Sequence, residues 1–165
     1  LAYVVDDRLD CLAEELGVKV DPGTSPRKIF DHIFDELVVP HLCEPTFVLD
    51  YPKKWSPLAK GKGDDENLVE RFELYIGGEE IANAYSELND PVEQKMRFEE
   101  QMAQKGEIED EEGMRYDEDF LVALEYGMPP CAGLGIGMDR LTMVLCDVPS
   151  IRETIFFPLL KPERR

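Results

Sequence analysis

The segment of residues 69–87 constrains the fold most, because it is typical of two strands joined by a tight turn. In the first strand, residues 69–76, alternation puts apolar and polar side chains on opposite sides. Gly77 and Gly78 follow, and two consecutive glycines favour a two-residue hairpin turn. A second strand is predicted over residues 79–87. The chain therefore contains an antiparallel hairpin.

Start and stop signals predict further helices and strands on both sides of this hairpin. These elements do not alternate strictly as strand, helix, strand. We therefore predict an α+β fold, an antiparallel sheet with flanking helices, and assign residues 1–165 to a single domain. Helices are predicted over residues 9–16, 26–39, 91–105, 118–126 and 139–146, strands over residues 45–50 and 132–136, and a loop over residues 53–65.

Charge and cysteine content narrow the range of partners. The net charge of −18 repels phosphate backbones, so the chain by itself is a poor nucleic-acid binder. No apolar run approaches the roughly 20 residues of a membrane span, which predicts no membrane partner. The four cysteines form no C-x-x-C pair, which argues against a zinc site. We expect free, buried thiols in a reducing compartment, and therefore a cytoplasmic protein.

Two glutamates on the hairpin form the first candidate site. If the turn has two residues, Tyr75 pairs with Glu80, and Glu73 lies diagonal to Glu80 on the same face, at roughly 5–8 Å. Carboxylates at that spacing suit Mg²⁺ bridging a phosphate chain. The simpler alternative, two solvated glutamates on an exposed polar face, is the one that spacing alone favours.

The second candidate site is the string GLGIGMDR, which joins a strand to a helix. Gly133, Gly135 and Gly137 would let a flat ligand lie against the backbone, and the following helix N-terminus favours anions. Arg140, in the first helical turn, could stack on a base or contact a phosphate. The alternative is tight strand-to-helix packing with Arg140 in a structural salt bridge, and the string itself leaves both open.

Longer stretches of the chain resemble class II lysyl-tRNA synthetases. GLGIGMDRL is similar to their motif 3, and RFELYIGGEEIANAYSELNDP is similar to the segment before it. PTFVLDYP, SPLAK and ALEYGMPPCAGLGIGMDRL fit the same family in order and spacing, so that the resemblance covers about residues 9–162. Motifs 1 and 2 and the anticodon-binding domain are not visible. The resemblance therefore implies that residues 1–165 are part of a class II catalytic domain.

The resemblance also implies roles for individual residues. Arg140 matches the motif 3 arginine that packs against the adenine near the phosphates, which makes it the one candidate catalytic residue. The matched metal ligands are Glu73 and Glu80, the matched ATP-binding residues are Arg140, Glu73, Glu80 and Gly137, and the matched lysine-binding residues are Asn83, Tyr85, Glu87, Gly133 and Gly135. Glu87 matches the acidic residue that reads the ammonium of lysine, and a buried ammonium does need a carboxylate partner.

The activity that the resemblance implies is that of a lysine–tRNA ligase. The full-length enzyme would use ATP and Mg²⁺ to convert lysine to lysyl-adenylate, and would then transfer lysine to tRNA(Lys). We expect this enzyme to be a homodimer and the fragment alone to be inactive. Two alternatives stay open: a synthetase-like paralogue that attaches lysine to a protein, and a non-catalytic regulatory module.

Strand parity conflicts with one shared pocket. Regular alternation from Glu80 puts Asn83, Tyr85 and Glu87 on the face opposite the metal pair. The resemblance requires all of them to meet. We therefore predict a β-bulge between Glu80 and Asn83, the alternative being a longer turn at Gly77 that shifts the pairing by one residue.

Overall fold

The computed structural model describes residues 4, 8–105 and 116–159, and it confirms an α+β fold with an antiparallel sheet. Short 3₁₀ helices occur at Val39–His41, Lys53–Trp55 and Ile151–Glu153. The α-helices are α1 (Leu9–Leu16), α2 (Pro26–Leu37), α3 (Pro91–Lys105), α4 (Glu118–Glu125) and α5 (Met138–Cys146). The strands are β1 (Thr46–Leu49), β2 (Gly61–Lys62), β3 (Asp65–Val69), β4 (Arg71–Ile76), β5 (Glu79–Ser86) and β6 (Ala132–Ile136).

The main sheet has four antiparallel strands in the order β1-β4-β5-β6. Its central hairpin turns at Gly77 and Gly78, whose φ angles of 63° and 80° are the left-handed values of a tight hairpin turn. Ile76 pairs with Glu79 directly across this turn. The predicted two-residue turn is confirmed, and the alternative of a longer turn is wrong.

The loop predicted over residues 53–65 is partly wrong. It contains a 3₁₀ turn, and β2 then pairs with β3 in a small second sheet. The predicted strand over residues 69–76 is also divided at Glu70, between β3 and β4. The N–H of Glu70 donates to the carbonyl of Lys60 at 2.9 Å and not to a strand of the main sheet. This pairing uses backbone groups, so the polar composition of the loop gave no sign of it.

Local capping signals place the start of α2 and the end of α1 as predicted, but α2 ends at Leu37 and not at residue 39, because Val39–His41 forms a separate 3₁₀ helix. Ser25 accepts a hydrogen bond from the N–H of Lys28, and α2 begins at Pro26. Gly17 ends α1 in the left-handed conformation. Helices α1 and α2 then pack together around Leu9 and other buried apolar side chains. The centroid of the Phe34 ring in α2 lies 5.8 Å from the centroid of the Tyr75 ring, and this contact packs the helix against the sheet.

The two faces of the main sheet differ in chemistry. One carries the polar side chains of β4 and β5. The other is apolar, and much of it is exposed, including Phe47 at 57% and Leu134 at 61%. Among the described residues, no helix is both long and apolar enough to cross a membrane. All four cysteines are free, but the expected burial is wrong, because three of them are exposed.

Candidate active site

A β-bulge brings the predicted site residues to one face. Leu74 pairs with Ala82 and Tyr75 with Glu80, which leaves Ile81 as an extra residue on β5. The predicted bulge between Glu80 and Asn83 is therefore confirmed. Residues opposite one another in an antiparallel pair face the same side of the sheet.

Beyond the bulge, the pairs on the polar face follow from the register. Asn83 lies opposite Glu73, and Tyr85 lies opposite Arg71. Because Glu73 and Tyr75 are two residues apart on β4, Glu80 shares their face as well. The structure thus brings together both predicted metal ligands and the predicted lysine-contacting residues of β5.

The carboxylate of Glu73 is the centre of this face. Its Oε1 accepts hydrogen bonds from Arg71 Nη2 at 2.5 Å and Asn83 Nδ2 at 3.2 Å. Its Oε2 accepts from the hydroxyls of Tyr51 at 2.5 Å and Tyr75 at 2.8 Å. Glu73 is only 7% exposed, so these donors replace water around a buried anion.

The two tyrosines at this centre stay protonated. Burial and the hydrogen bond to Glu73 raise the pKa of Tyr51 and the pKa of Tyr75 far above the ordinary value. Both hydroxyls therefore act as donors at neutral pH. The guanidinium of Arg71 also lies over the Tyr51 ring, 4.6 Å from its centroid, which adds a cation–π contact.

The two predicted metal ligands, Glu73 and Glu80, are not equally suited to bind a cation. Four donors occupy the roughly four lone-pair positions of the Glu73 carboxylate, so a cation has to displace one of them. Glu80 is more open, with a side chain 35% exposed. Burial, together with the nearby charge of Glu73, raises the pKa of Glu80. A cation would relieve that cost, so Glu80 fits the predicted ligand role better than Glu73.

No ready-made metal cage accompanies this pair, since the described residues contain no group of three or more His, Cys, Asp or Glu side chains that could hold an ion. Mg²⁺ is usually bound by one or two carboxylates together with substrate phosphates and water. The metal site therefore stays a prediction that needs a phosphate ligand.

Arg140 reaches back from α5 to the bulged strand. Its Nη1 donates to the carbonyl of Glu80 at 3.0 Å. Its guanidinium lies 3.8 Å from the carboxylate of Glu79 and 3.6 Å from that of Glu80. The structural salt bridge considered as an alternative is thus present. The Arg140 side chain is 46% exposed, and exposed ion pairs of this kind contribute at most about 1 kcal/mol, so a bound anion could compete for it.

The glycines of β6 form the floor beside these residues. Gly135 lies opposite Asn83 and Gly133 opposite Tyr85. A Cβ atom on Gly135 would make only ordinary contacts, the nearest being the Asn83 carbonyl at 3.7 Å. A Cβ atom on Gly133 would collide with Oε1 of Glu87. An alanine at position 133 would therefore displace the end of the Glu87 side chain.

The remaining predicted residues, Tyr85 and Gly137, lie near opposite ends of β6. Burial, followed by the charge of Glu87, raises the pKa of Tyr85. Gly137 precedes α5, and its N–H donates to the carbonyl of Ile81 at 2.9 Å. Gly137 thus anchors the strand-to-helix junction to the bulge.

Sequence reasoning did not assign a site role to Arg71, Tyr51 or Ser56. Arg71 donates to Ser56 Oγ at 3.1 Å as well as to Glu73. Alternation already placed Arg71 on the face of Glu73, and this signal could have identified it. Tyr51 lies 22 residues before Glu73 in the chain, and no spacing pattern relates the two.

Comparison with known proteins finds a matching family model and similar proteins. The family model described as tRNA synthetases class II (D, K and N) matches residues 30–161. The chain is 54% identical to a lysine–tRNA ligase of Moorella thermoacetica, with 92% of this chain and 31% of that protein covered. It is 55% identical to one of Pelotomaculum thermopropionicum, covering 89% of this chain and 29% of the relative. For one of Aquifex aeolicus the identity is 54%, with 93% and 26% covered.

These relatives are much longer than the chain, which spans about three tenths of their length. The match nevertheless includes both halves of the polar face, the β4–β5 hairpin and the strand-to-helix junction at Arg140. The chain belongs to the family of class II tRNA synthetases for D, K and N.

Proposed function

We propose that this chain is the lysine- and ATP-binding part of a lysine–tRNA ligase catalytic domain. The observation that carries the proposal is the Glu87 carboxylate, which lies over Gly133 on the polar face that also holds Glu80. A partly buried carboxylate beside Tyr85 suits a ligand with one ammonium group and an aliphatic stem. The names of the relatives support the same substrate.

Asn83 would contact the amino-acid end of lysine. Its Nδ2 donates to Glu73, and its buried Oδ1 has no partner among the residues that the structure describes. An unpartnered acceptor favours a donor on the ligand, which the α-ammonium group supplies. A contact with the lysine carboxylate would use the second hydrogen of Nδ2, in exchange for the side-chain hydrogen bond between Asn83 and Glu80.

ATP would lie across the bulge, between Glu80 and Arg140. Arg140 would exchange its exposed contacts with Glu79 and Glu80 for the nucleotide. Glu80, with Glu73 behind it, would hold Mg²⁺, which supplies positive charge to the phosphate chain when it is bound. Gly135 and Gly137 leave the floor of the site free of side chains.

The reaction needs alignment and charge neutralisation more than acid–base groups. An oxygen of the lysine carboxylate forms a bond to the α-phosphorus. The bond from that phosphorus to the bridging oxygen breaks, and pyrophosphate leaves with the electron pair. Glu87 would hold the far end of lysine while Asn83 orients the near end.

The test is amino-acid-dependent exchange of pyrophosphate into ATP by the full-length protein. We expect exchange with lysine and not with aspartate or asparagine, the other substrates in the family description. Exchange with either of these, or with none of the three, would refute the proposal. Glu87→Gln keeps the shape of the side chain but removes its charge, so it should weaken lysine binding without changing the Michaelis constant for ATP.

The later steps require separate measurements. Transfer of labelled lysine to tRNA(Lys) supports the ligase, whereas transfer to a protein supports the paralogue. A protein that binds nucleotide but activates no amino acid would be the regulatory module. The homodimer and the cytoplasmic location stay predictions, testable by light scattering and by localisation of the full-length protein.

A further inference from the structure

Helix α3 presents two buried polar side chains to the segment of residues 56–59. Gln94 is fully buried, and Arg97 is 5% exposed. They are three residues apart, so they lie on the same face of the helix. Arg97 Nη1 donates to the carbonyls of Ser56 at 3.1 Å and Ala59 at 2.5 Å. Gln94 Nε2 donates to the carbonyl of Pro57 at 3.0 Å.

The position of Arg97 is itself fixed by an ion pair. Its Nη2 donates to Glu93 Oε1 at 2.6 Å, and Lys53 Nζ lies 3.0 Å from the same oxygen. Burial raises the pKa of Glu93, but the hydrogen bonds from Arg97 and Lys53 outweigh burial, and the net pKa is lowered. Glu93 is therefore ionised at neutral pH and holds the guanidinium in one orientation.

The segment of residues 56–59 contacts the candidate site at both ends. At one end, Ser56 Oγ accepts from Arg71, which in turn binds Glu73. At the other end, Ala59 forms a β-bridge with Glu87. Backbone hydrogen bonds flank this bridge, from Lys60 N–H to the Ser86 carbonyl at 2.8 Å and from Leu88 N–H to the Leu58 carbonyl at 2.9 Å.

We propose that Arg97 is a positioning residue for the amino-acid site. It acts through the segment of residues 56–59 on two groups at once, the Glu87 backbone and the Arg71 guanidinium. The inference rests on the proposed function, because it concerns how the site holds lysine. In the part of the chain that the structure describes, the hydrogen bonds of Arg97 go to this segment and to Glu93, and none goes to either group.

The chemistry of arginine explains why this position requires it. Three acceptors surround the planar guanidinium group, namely the carbonyls of Ser56 and Ala59 and the carboxylate of Glu93. Arginine can bind all three because its N–H donors point in several fixed directions. Lysine could satisfy some of these acceptors as a point charge but could not span all three. Methionine would fill the volume, but the buried carbonyl of Ala59 would lose its Arg97 donor, and the Ser56 carbonyl would keep only the N–H of Ala59 at 3.2 Å.

The test compares Arg97→Lys and Arg97→Met with Lys95→Met in the full-length protein. Lys95 is on the same helix and exposed, so Lys95→Met is a control for the loss of one positive charge. The readouts are the Michaelis constants for lysine and ATP in pyrophosphate exchange, and the hydrogen exchange of the Lys60 and Leu88 amides. These two amides report the bridge between residues 56–59 and Glu87.

We expect both Arg97 variants to raise the Michaelis constant for lysine, on the order of tenfold or more for Arg97→Met, with a smaller change for ATP. The Lys60 and Leu88 amides should exchange faster in the same variants, while Lys95→Met resembles the wild type. If Arg97→Met fails to fold, Arg97→Lys and Gln94→Met, which removes the contact with Pro57, provide the same comparison.

Two outcomes would overturn the proposal. The first is unchanged amide exchange, which would mean that Arg97 does not hold the segment. The second is faster amide exchange with an unchanged Michaelis constant for lysine, which would mean that the segment does not position the site. A wild-type protein that activates no lysine would instead refute the proposed function, and amide exchange would still show whether Arg97 holds the segment.

Discussion

Adding a single methyl group at position 133 should weaken lysine recognition and leave the stability of the fold nearly unchanged. In Gly133→Ala, the new Cβ atom would collide with Oε1 of Glu87, whereas the next nearest atom, Cδ of Glu87, lies at an ordinary 3.5 Å. Gly133 does not have a left-handed φ angle, so alanine causes no backbone strain there. The end of the Glu87 side chain is flexible and can move aside by about 1 Å. We therefore expect a folded protein with a displaced carboxylate.

The magnitude follows from the contact that is lost. A hydrogen bond to a charged group contributes about 1.5–3 kcal/mol. Since about 1.4 kcal/mol corresponds to a factor of ten, losing that contact should lower kcat/KM for lysine by roughly 10- to 150-fold. The free energy of unfolding should change by less than about 1 kcal/mol, because the displaced group is the end of one side chain.

The assay is lysine-dependent pyrophosphate exchange in the full-length protein, with thermal unfolding measured alongside. Gly135→Ala is the matched comparison, because it adds the same methyl group on the same strand and face with only ordinary contacts. Equal losses in the two variants would mean that any methyl group on the floor blocks the ligand. An unchanged kcat/KM in Gly133→Ala would show that the position of Glu87 does not govern lysine binding.

Four further predictions concern the charge and completeness of the site. Glu87→Arg should abolish lysine activation, because the ammonium group of lysine would lose its carboxylate partner and meet a like charge, at a cost of about 3–5 kcal/mol or more. An unchanged Michaelis constant for lysine would contradict this prediction. Residues 1–165 alone should fold, by circular dichroism, but should not exchange pyrophosphate with lysine, because no motif 2 arginine is visible in the chain. Burial and the charge of Glu73 raise the pKa of Glu80, so protons should compete with Mg²⁺ for this carboxylate at mildly acidic pH. The apparent affinity of the protein for Mg²⁺ should therefore fall as the pH falls, and this pH dependence should disappear in Glu80→Gln. The same raised pKa makes ionised Glu80 destabilising as the pH rises through it, so Glu80→Gln should raise the unfolding temperature at neutral pH and not at low pH.

Local signals in the sequence determined the secondary structure around the site. Gly77 and Gly78 specify the hairpin turn because they adopt left-handed φ angles without strain. Asp90 begins α3 by accepting from the N–H groups of Val92 and Glu93. The bulge was also predictable, because strand parity contradicted the shared pocket that the family resemblance requires.

The partners of Glu93 show where a local pattern does not decide what a side chain binds. Glu93 stands three residues after Asp90, a position typical of reciprocal capping, but its carboxylate binds Arg97 and Lys53 instead. Both cations come from positions that the local capping pattern does not include. A charged partner makes a stronger hydrogen bond than a neutral backbone N–H, so the ion pair wins.

The sequence by itself determined the strands of the main sheet, the turn and which residue types face one side of the sheet, since these depend on neighbours a few positions apart. Only the tertiary structure decided that Glu73 is surrounded by four donors, one of them from Tyr51. The same is true of Arg97, which binds carbonyls 38 and 41 residues away. Such contacts depend on where separate elements pack, and because backbone carbonyls are alike at every position, no residue pattern encodes which of them a buried arginine will bind.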